Sequence, residues 1–305
     1  MTSSLPAPPL VSVVMCIYNG ERFLKDQIDS ILQQTYTNIE LVCVDDQSTD
    51  RSVAIIQEYQ RQDSRVKLFE NERNLGFNKN FERGFSLCTG EFIAISDQDD
   101  VWHSHKIEDL IFYIGNSLLV YSNSELIDED GKKLHQNLES SIKHVHDPSY
   151  KGFLEYNFVT GHTCLFKREL LQYITPIPKN VLYYDWWIGF TAAYVGKVFY
   201  LDKILTQYRL HSNSVIQKLK SSHTDKETEK GKRYAQALSF AEADFVKPKD
   251  KKEILNFLRI KLNASKDLFS STNCYVHLLK NHRQYYPWYK KSFISKLNFI
   301  RRQCK

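Results

Sequence analysis

Long apolar runs are missing from this sequence. No stretch approaches the ~18–20 apolar residues that a bilayer-spanning helix needs, and residues 1–9 are uncharged and Pro-rich, unlike a secretory signal. The expectation is a cytoplasmic protein whose residues 1–9 are disordered. Glycine and proline are scarce, 11 and 8 in 305 residues, which excludes collagen-like and low-complexity chains. Six cysteines (Cys16, Cys43, Cys88, Cys164, Cys274, Cys304) are scattered without a C-x-x-C spacing, and several sit in apolar runs. They read as reduced core thiols, not as a disulfide or zinc framework. No G-x-G-x-x-G follows the first apolar run and no P-loop lysine is present, which argues against dinucleotide binding and ATP hydrolysis. There is no internal repeat.

What is present is ample core material, 42% hydrophobic residues, and an uneven charge. The net charge of +5 conceals a segregation: residues 251–305 hold 13 Lys and Arg against Glu253 and Asp267, a balance of +11, which leaves −6 for residues 1–250. In the tail, Tyr285, Tyr286, Trp288, Tyr289, Phe293, Ile294, Leu297, Phe299 and Ile300 are interleaved with Lys290, Lys291, Lys296, Arg301 and Arg302. That pattern suits an anionic membrane surface; a solvated face packed on the main domain and a nucleic-acid contact are the other readings. The acidic main body opposes wrapping a polyanion, so nucleic acid is not the expected partner.

From residue 10 to about 121, short apolar runs alternate with amphipathic stretches. Strands are predicted at 11–17, 39–44, 66–69 and 92–95, and helices follow through Phe23, Ile28, Ile31 and Leu32, over about 52–59, and over about 78–87. Asp50 or Ser48 is placed to cap the second helix. Continuous apolar strands alternating with helices imply an α/β fold with a mostly parallel sheet covered on both faces, because a parallel strand needs a crossover to return. Residues 122–148 are polar and predict an excursion or loop, 153–166 the next apolar segment, Asp185 the start of a helix, and 200–208 an edge strand. A Lys/Glu-rich linker and helix over 215–248 precede the basic tail.

Open α/β sheets bind ligands beyond the carboxyl ends of their strands, where this sequence puts Tyr18, Asp45, Asp46, Asp97 and Asp99. In extended chain Asp97 and Asp99 point to the same side. Two adjacent carboxylates repel unless a cation sits between them, which makes a seat for Mg²⁺ or Mn²⁺; capping of the next helix by Asp99 or Asp100 is the plainer alternative. Asp45 or Asp46 can accept from a base N–H or a ribose hydroxyl and Tyr18 can stack on a base, although Asp-Asp-Gln-Ser-Thr-Asp is also turn chemistry. His103, His105, His144 and His146 read as surface residues.

The runs V-S-V-V-M-C-I-Y-N-G (11–20), I-L-Q-Q-T-Y-x-N-I-E-L (31–41), V-D-D-Q-S-T-D (44–50), N-x-x-N-L-G-F-N-K-N (71–80) and S-D-Q-D-D-V-W (96–102) together resemble glycosyltransferase family 2. F-V-T-G-H-T (158–163), Y-D-W-W (184–187) and Y-R-L-H (208–211) resemble its bacterial rhamnosyltransferase-like branch, which builds cell-surface polysaccharide. The resemblance implies a GT-A fold with a Rossmann-like sheet over 10–215, divided into a nucleotide-sugar half (10–121) and an acceptor half (122–215), with a helical basic extension over 216–305. It implies nucleotide-sugar contacts at Tyr18, Asp46, Asp97, Cys16, Asn74 and Lys79, metal ligands at Asp99, Asp97 and His211, and a catalytic base at Asp185. Acceptor contacts are implied at Trp186, Trp187, Gly161 and His162. The cofactor would be Mn²⁺ or Mg²⁺, the donor a nucleotide-diphosphate sugar such as dTDP-L-rhamnose or a UDP-hexose, and the acceptor a lipid-linked oligosaccharide at the inner membrane face or another saccharide. Gln98 and Gln47 depart from the small residue and the glycine common at those places.

Read from the residues alone, Asp185 can equally be the N-cap of a helix carrying a buried Trp pair, and His211 a turn residue. The chemistry needs one base and one cation: a carboxylate takes the acceptor's proton while the cation neutralises the leaving diphosphate, a single displacement that inverts the anomeric centre. A non-catalytic nucleotide-sugar-binding scaffold is the rival from another class. A nucleotidyltransferase would want a Gly-rich, cationic loop where Tyr18-Asn19-Gly20-Glu21-Arg22 stands.

Overall fold

The computed structural model describes residues 7–138, 144–211 and 226–304, without the side chains of 226–230. Its sheet begins with β1 (Val11–Ile17), β2 (Ile39–Asp45), β3 (Val66–Glu70) and β4 (Phe92–Ser96), joined by α1 (Leu24–Leu32), α2 (Ser52–Gln62) and α3 (Phe77–Leu87). Each helix is a crossover, and β3, β2, β1 and β4 lie side by side in parallel. Strand alternation sorts the side chains between two cores. Val11, Val13, Met15 and Ile17 join Leu24, Ile28 and Ile31 of α1 on one face; Val14 meets Phe81 and Phe85 of α3 on the other. The fit of α3 is close, since a Cβ on Gly84 would lie 2.5 Å from Val14 Cγ1.

The chain then continues through β5 (Val101–Trp102), α4 (Lys106–Ile114), β6 (Leu119–Ile127), β7 (Lys133–Asn137), β8 (Cys164–Lys167), α5 (Leu171–Ile174), α6 (Tyr184–Val195) and β9 (Val198–Arg209). The sheet order is β3-β2-β1-β4-β8-β6-β9-β5, with β7 on β6. Beyond β4 the sheet is mixed: β8 is antiparallel to both β4 and β6, β5 to β9 and β7 to β6, whereas β6 and β9 are parallel. The expectation of a mostly parallel sheet therefore holds only for the first half. The predicted excursion over 122–148 is corrected as well. Ser122, Asn123 and Ser124 are buried inside β6, where β9 pairs with them, the β8 ladder ending at Tyr121; residues 139–143 lie outside the described residues. β9 is flanked by β6 along its length and by β5 at Thr206 and Gln207, so it is not a simple edge. His144 is stacked on Tyr200, ring centroids 4.6 Å apart, not set on the surface.

Among the described residues five helices follow: α7 (Lys226–Glu242), α8 (Pro248–Asn263), α9 (Leu268–Lys280), α10 (His282–Tyr285) and α11 (Phe293–Gln303). Pro248 opens α8, where its fixed φ suits the first turn, and Asp267 and Ser292 cap α9 and α11. Of the predicted linker, residues 215–225 lie outside the described residues, as do 212–214 before it. The helices share a core with the sheet: Phe240 stacks on Phe190 at 4.1 Å and Trp288 packs on Phe158 at 5.4 Å. Most of the tail aromatics expected at a membrane surface are thus turned inward. Tyr285, Tyr286 and Ile300 are buried, and only Phe293 and Ile294 of that series stand well exposed. Of the N-terminal stretch expected to be disordered, residues 1–6 lie outside the description, and the Pro8 and Pro9 carbonyls accept from Asn38 and Tyr36.

Candidate active site

The loops after β1, β2 and β4 converge beyond the carboxyl ends of those strands. Gln98 joins two of them: its Oε1 accepts from the Tyr18 N–H at 2.9 Å and its Nε2 donates to the Tyr18 carbonyl at 3.1 Å. The approach is so close that a Cβ on Gly20 would meet Gln98 Oε1 at 2.5 Å, which gives the Gln at this position a structural purpose. Tyr18 itself is 51% exposed, its ring free to face a ligand. Gln47 adopts φ +67°, a left-handed conformation that favours glycine, and its Nε2 donates to the Asn71 carbonyl at 2.6 Å.

Asp46 is buried, and its carboxylate accepts from Asn71 Nδ2 (2.6 Å), the Leu75 N–H (2.7 Å) and the Gly76 N–H (2.9 Å). It organises the 71–76 loop and keeps one acceptor direction on Oδ2. Asn74 donates to the Asp46 carbonyl. Burial, with Asp97 and Asp46 adding to it, pushes the half-buried Cys16 thiol well up, so Cys16 is a neutral neighbour of both carboxylates. Lys79 does not join this group: its ammonium donates to both Glu82 oxygens and to the Ile177 carbonyl. That correction follows from its place on α3, where Glu82 stands one turn on.

After β4 the predicted metal ligands divide. Asp99 Oδ2 lies 2.8 Å from His211 Nε2, and both side chains keep some solvent access. Asp97 Oδ2 lies 3.4 Å from His162 Nδ1, and Asp100 Oδ2 lies 3.6 Å from the same nitrogen. Among the described residues, Asp97, Asp100 and His162 form a group whose candidate ligand atoms lie within 4.8 Å of one another. Asp100 Oδ2 and His162 Nδ1 are buried without a hydrogen-bond partner, and orphaned oxygen and nitrogen donors beside a carboxylate fit a divalent cation such as Mg²⁺ or Mn²⁺. Burial raises the Asp100 carboxyl against the pull of His162, and Asp99 and Asp97 raise it further, to about 7. Burial lowers His162, but Asp100 and Asp97 more than restore it, so its net shift is upward.

Asp100 and His162 sit in a buried polar cluster. Ser124 Oγ lies 3.1 Å from His162 Nε2, and Tyr208 stacks on the imidazole at 4.8 Å. Lys106 donates to the His162 carbonyl (2.5 Å) and to Thr206 Oγ1 (2.9 Å) and lies over the Trp102 ring. Burial lowers Lys106, with Asp100, Cys164 and Asp97 opposing, to about 7. Arg209, also buried, donates to the Asp99 carbonyl through Nε and to Asp100 Oδ1 through its backbone N–H. The sequence offered Asp100 only as a possible helix cap, and Lys106 and Arg209 not at all. Asp100 adjoins Asp97 and Asp99 and Arg209 lies inside Y-R-L-H, but Lys106 has no local signal.

Asp185 lies in the first turn of α6, fixed by Asn157 Nδ2 on Oδ1 (2.9 Å) and by the Gly161 N–H on Oδ2 (3.1 Å). Gly161 and His162 are adjacent in one 3₁₀ turn, Gly161–Thr163, so neighbouring residues bind Asp185 and face Asp97. Asp185 as a residue is half-buried. Burial raises it, the Gly161 and Trp186 N–H groups lower it, Asp97 raises it and Asn157 lowers it, for a net value of about 6. Gly161 cannot carry a side chain, because a Cβ would collide with the Tyr184 hydroxyl. Trp186 and Trp187 are core residues whose indole N–H groups donate to the Phe153 and Ile174 carbonyls. With α6 clasped between the sheet and α7, neither offers a face to a sugar, and His162, expected at the acceptor, is buried behind Asp97.

Residues 12–175 match the family model for glycosyl transferase family 2. An uncharacterized glycosyltransferase of Nostoc sp. is 32% identical over 210 residues, 66% of this chain and 65% of that protein. One from Haemophilus influenzae is 27% identical over 217 residues, 67% of each chain. The chain thus spans about two thirds of the length of these curated relatives. Among solved structures, S. aureus TarS 1–349 with UDP-GlcNAc superposes with a TM-score of 0.62 at 20% identity, covering 97% of this chain and 81% of that one. The mannosyltransferase PcManGT of Pyrobaculum calidifontis with GDP-Man and Mn²⁺ gives 0.54 at 14%, covering 98% and 86%. At such identities the likeness speaks for the fold, a GT-A-like α/β architecture.

Proposed function

This chain belongs to glycosyl transferase family 2, and from that membership and the geometry of the cleft we propose that it moves a sugar from a nucleotide-diphosphate donor to a saccharide hydroxyl, inverting the anomeric centre. The observation that carries the reading is the 3₁₀ turn whose Gly161 N–H holds Asp185 and whose His162 faces Asp97. It sets a carboxylate with a pKa of about 6 beside the acidic group at the end of β4. In the proposed reaction Asp185 accepts the proton of the acceptor hydroxyl as that oxygen bonds to the anomeric carbon and the bond to the diphosphate breaks. Tyr18 stacks on the base, Asp46 takes a base N–H on its remaining acceptor direction, and Asp97 takes a ribose hydroxyl. Asp99 and His211, which keep solvent access, and Asp97 would hold the divalent cation, and the orphaned Asp100 and His162 atoms next to Asp97 are further donors that could reach it. The cation supplies charge neutralisation at the departing diphosphate.

UDP-GlcNAc is the ligand of TarS and GDP-Man that of PcManGT; for this chain we propose dTDP-L-rhamnose first and UDP-hexoses second. We further propose a lipid-linked oligosaccharide of a cell-surface polysaccharide as acceptor, met at the inner membrane face through the basic C-terminal helices. No helix among the described residues is long and apolar enough to cross a membrane. The test is nucleoside diphosphate release from dTDP-, UDP- and GDP-sugars with Mn²⁺ and extracted envelope lipids. Asp185→Asn is expected to abolish transfer, a loss of at least about 10²-fold, while donor binding by calorimetry survives. Transfer at the wild-type rate would remove Asp185 from the chemistry, and donor binding without any release would favour the scaffold.

A further inference from the structure

Away from the cleft, the C-terminal end of α9, the one-turn α10 and the first turn of α11 enclose a groove of about 490 Å³, a volume in the range of small-ligand sites. It is lined by Leu279, Lys280, His282, Arg283, Phe293 and Lys296, among others. From residue 268 to the end the sequence has eight Lys and Arg and no Asp or Glu. The ion pairs between the C-terminal helices and the rest of the chain are made on α8, Lys151 with Glu253 and Glu155 with Lys261. Among the described residues they leave Lys280, Arg283 and Lys296 without a carboxylate.

His282 is a second, independent sign. It is 5% exposed, it lines the groove, and neither ring nitrogen has a hydrogen-bond partner. Burial, then Lys296 and Arg283, hold its pKa below the usual value, so the ring is neutral and keeps one N–H to donate. A buried donor without a partner, ringed by cations, is satisfied by an anionic oxygen. Phe293, on the groove wall, is 66% exposed, and Ile294, next to it in the first turn of α11, is 72% exposed. Cations beside exposed apolar side chains match a lipid surface, where the cations meet headgroups and the apolar side chains the acyl boundary. A nucleic acid would use the cations and leave Ile294 in water, and the −6 charge of residues 1–250 opposes it.

We propose that this groove seats the phosphate of an anionic phospholipid headgroup. Lys280, Arg283 and Lys296 surround the phosphate oxygens, the His282 ring donates one hydrogen bond to them, and Phe293 and Ile294 enter the acyl boundary. The inference rests on the membrane contact proposed above and gives it a site.

The test is co-sedimentation of the full chain with vesicles of equimolar phosphatidylglycerol and phosphatidylcholine, against phosphatidylcholine alone. The wild type should bind only the former. The triple variant Lys280→Ala, Arg283→Ala, Lys296→Ala should bind about a hundredfold more weakly, and His282→Leu severalfold more weakly, both with an unchanged Tm. Equal binding to both vesicles, or wild-type binding by the triple variant, would overturn the proposal. So would thermal stabilisation by inorganic phosphate alone as large as that by the anionic vesicles, which would mark a free-phosphate site, or tighter binding to single-stranded RNA than to the vesicles. The triple variant should still release nucleoside diphosphate in detergent solution, and Asp185→Asn should still sediment, so either reading can fail without the other.

Discussion

In the proposed reaction Asp185 can act as a base only when ionised, and its surroundings set the pH at which that happens. Since the carboxyl titrates at about 6, kcat should rise with pH through that value and level off above it. Asn157→Ala removes a donor that favours the anion, so the acid limb of the kcat–pH profile should move upward; an unmoved limb would mean that another group titrates there. The same shift has a cost in stability. Between the ordinary value of 3.8 and about 6 the folded state holds this proton more tightly than the unfolded chain, so the Asp185 contribution falls as pH rises across that window. Asp99→Ala should weaken Mn²⁺-dependent donor binding by at least about tenfold, the loss of one charged ligand; calorimetry with unchanged affinity would remove Asp99 from the site. At this scale the sequence displayed the acidic residues at the strand ends, but not their partners. Lys106 and Ser124 reach His162 from α4 and β6, and no local pattern announces a polar side chain that is satisfied only by a distant element.

Among the elements, β1 to β4 were legible because each is an apolar run with a helical period after it. β6 was not, since Ser122, Asn123 and Ser124 break the apolar pattern that burial on both sides would ordinarily impose. Packing of α3 on β1 permits a direct check. Gly84→Ala gains helix propensity of about 1 kcal/mol, but its Cβ would press 2.5 Å from a buried Val14 methyl. Overpacking, typically about 1–3 kcal/mol, should win, and denaturant titration should show a net loss of stability. Glu40 on β2 joins three other segments: it accepts from Ser12 on β1, from Lys67 on β3, and from Thr89 between α3 and β4. Burial raises its carboxyl, yet these donors outweigh burial and bring it down to about 2. Its contribution is therefore present above the ordinary 4.5 and lost as pH falls toward about 2. Glu40→Gln should cost roughly 1.5–3 kcal/mol at neutral pH, the scale of charge-assisted hydrogen bonds, and flatten the decline of stability in acid; a parallel decline in both proteins would refute the assignment.

Taken as a molecule, the C-terminal helices and one face of the sheet share a single core where the sequence reads as a catalytic domain with an appendage. Phe153, Phe158 and Phe190 share a cluster with Phe240, Phe257, Tyr285, Tyr286 and Ile300. A chain ending at residue 245 should therefore lose cooperative thermal unfolding and bind a hydrophobic dye, whereas a sharp transition near the wild-type Tm would show that the helices are dispensable. The charge segregation, the α/β alternation and the acidic residues beyond the strand ends were all written in the linear order of residues, because periodicity and strand-end position are local properties. The partition of the tail aromatics into buried and exposed, the mixed half of the sheet, the withdrawal of Trp186 and Trp187 into the core and the turn whose Gly161 holds Asp185 and whose His162 faces Asp97 were settled by folding. Each depends on which distant surfaces meet, and an amphipathic side chain reads the same in sequence whether its partner is another helix, a ligand or water.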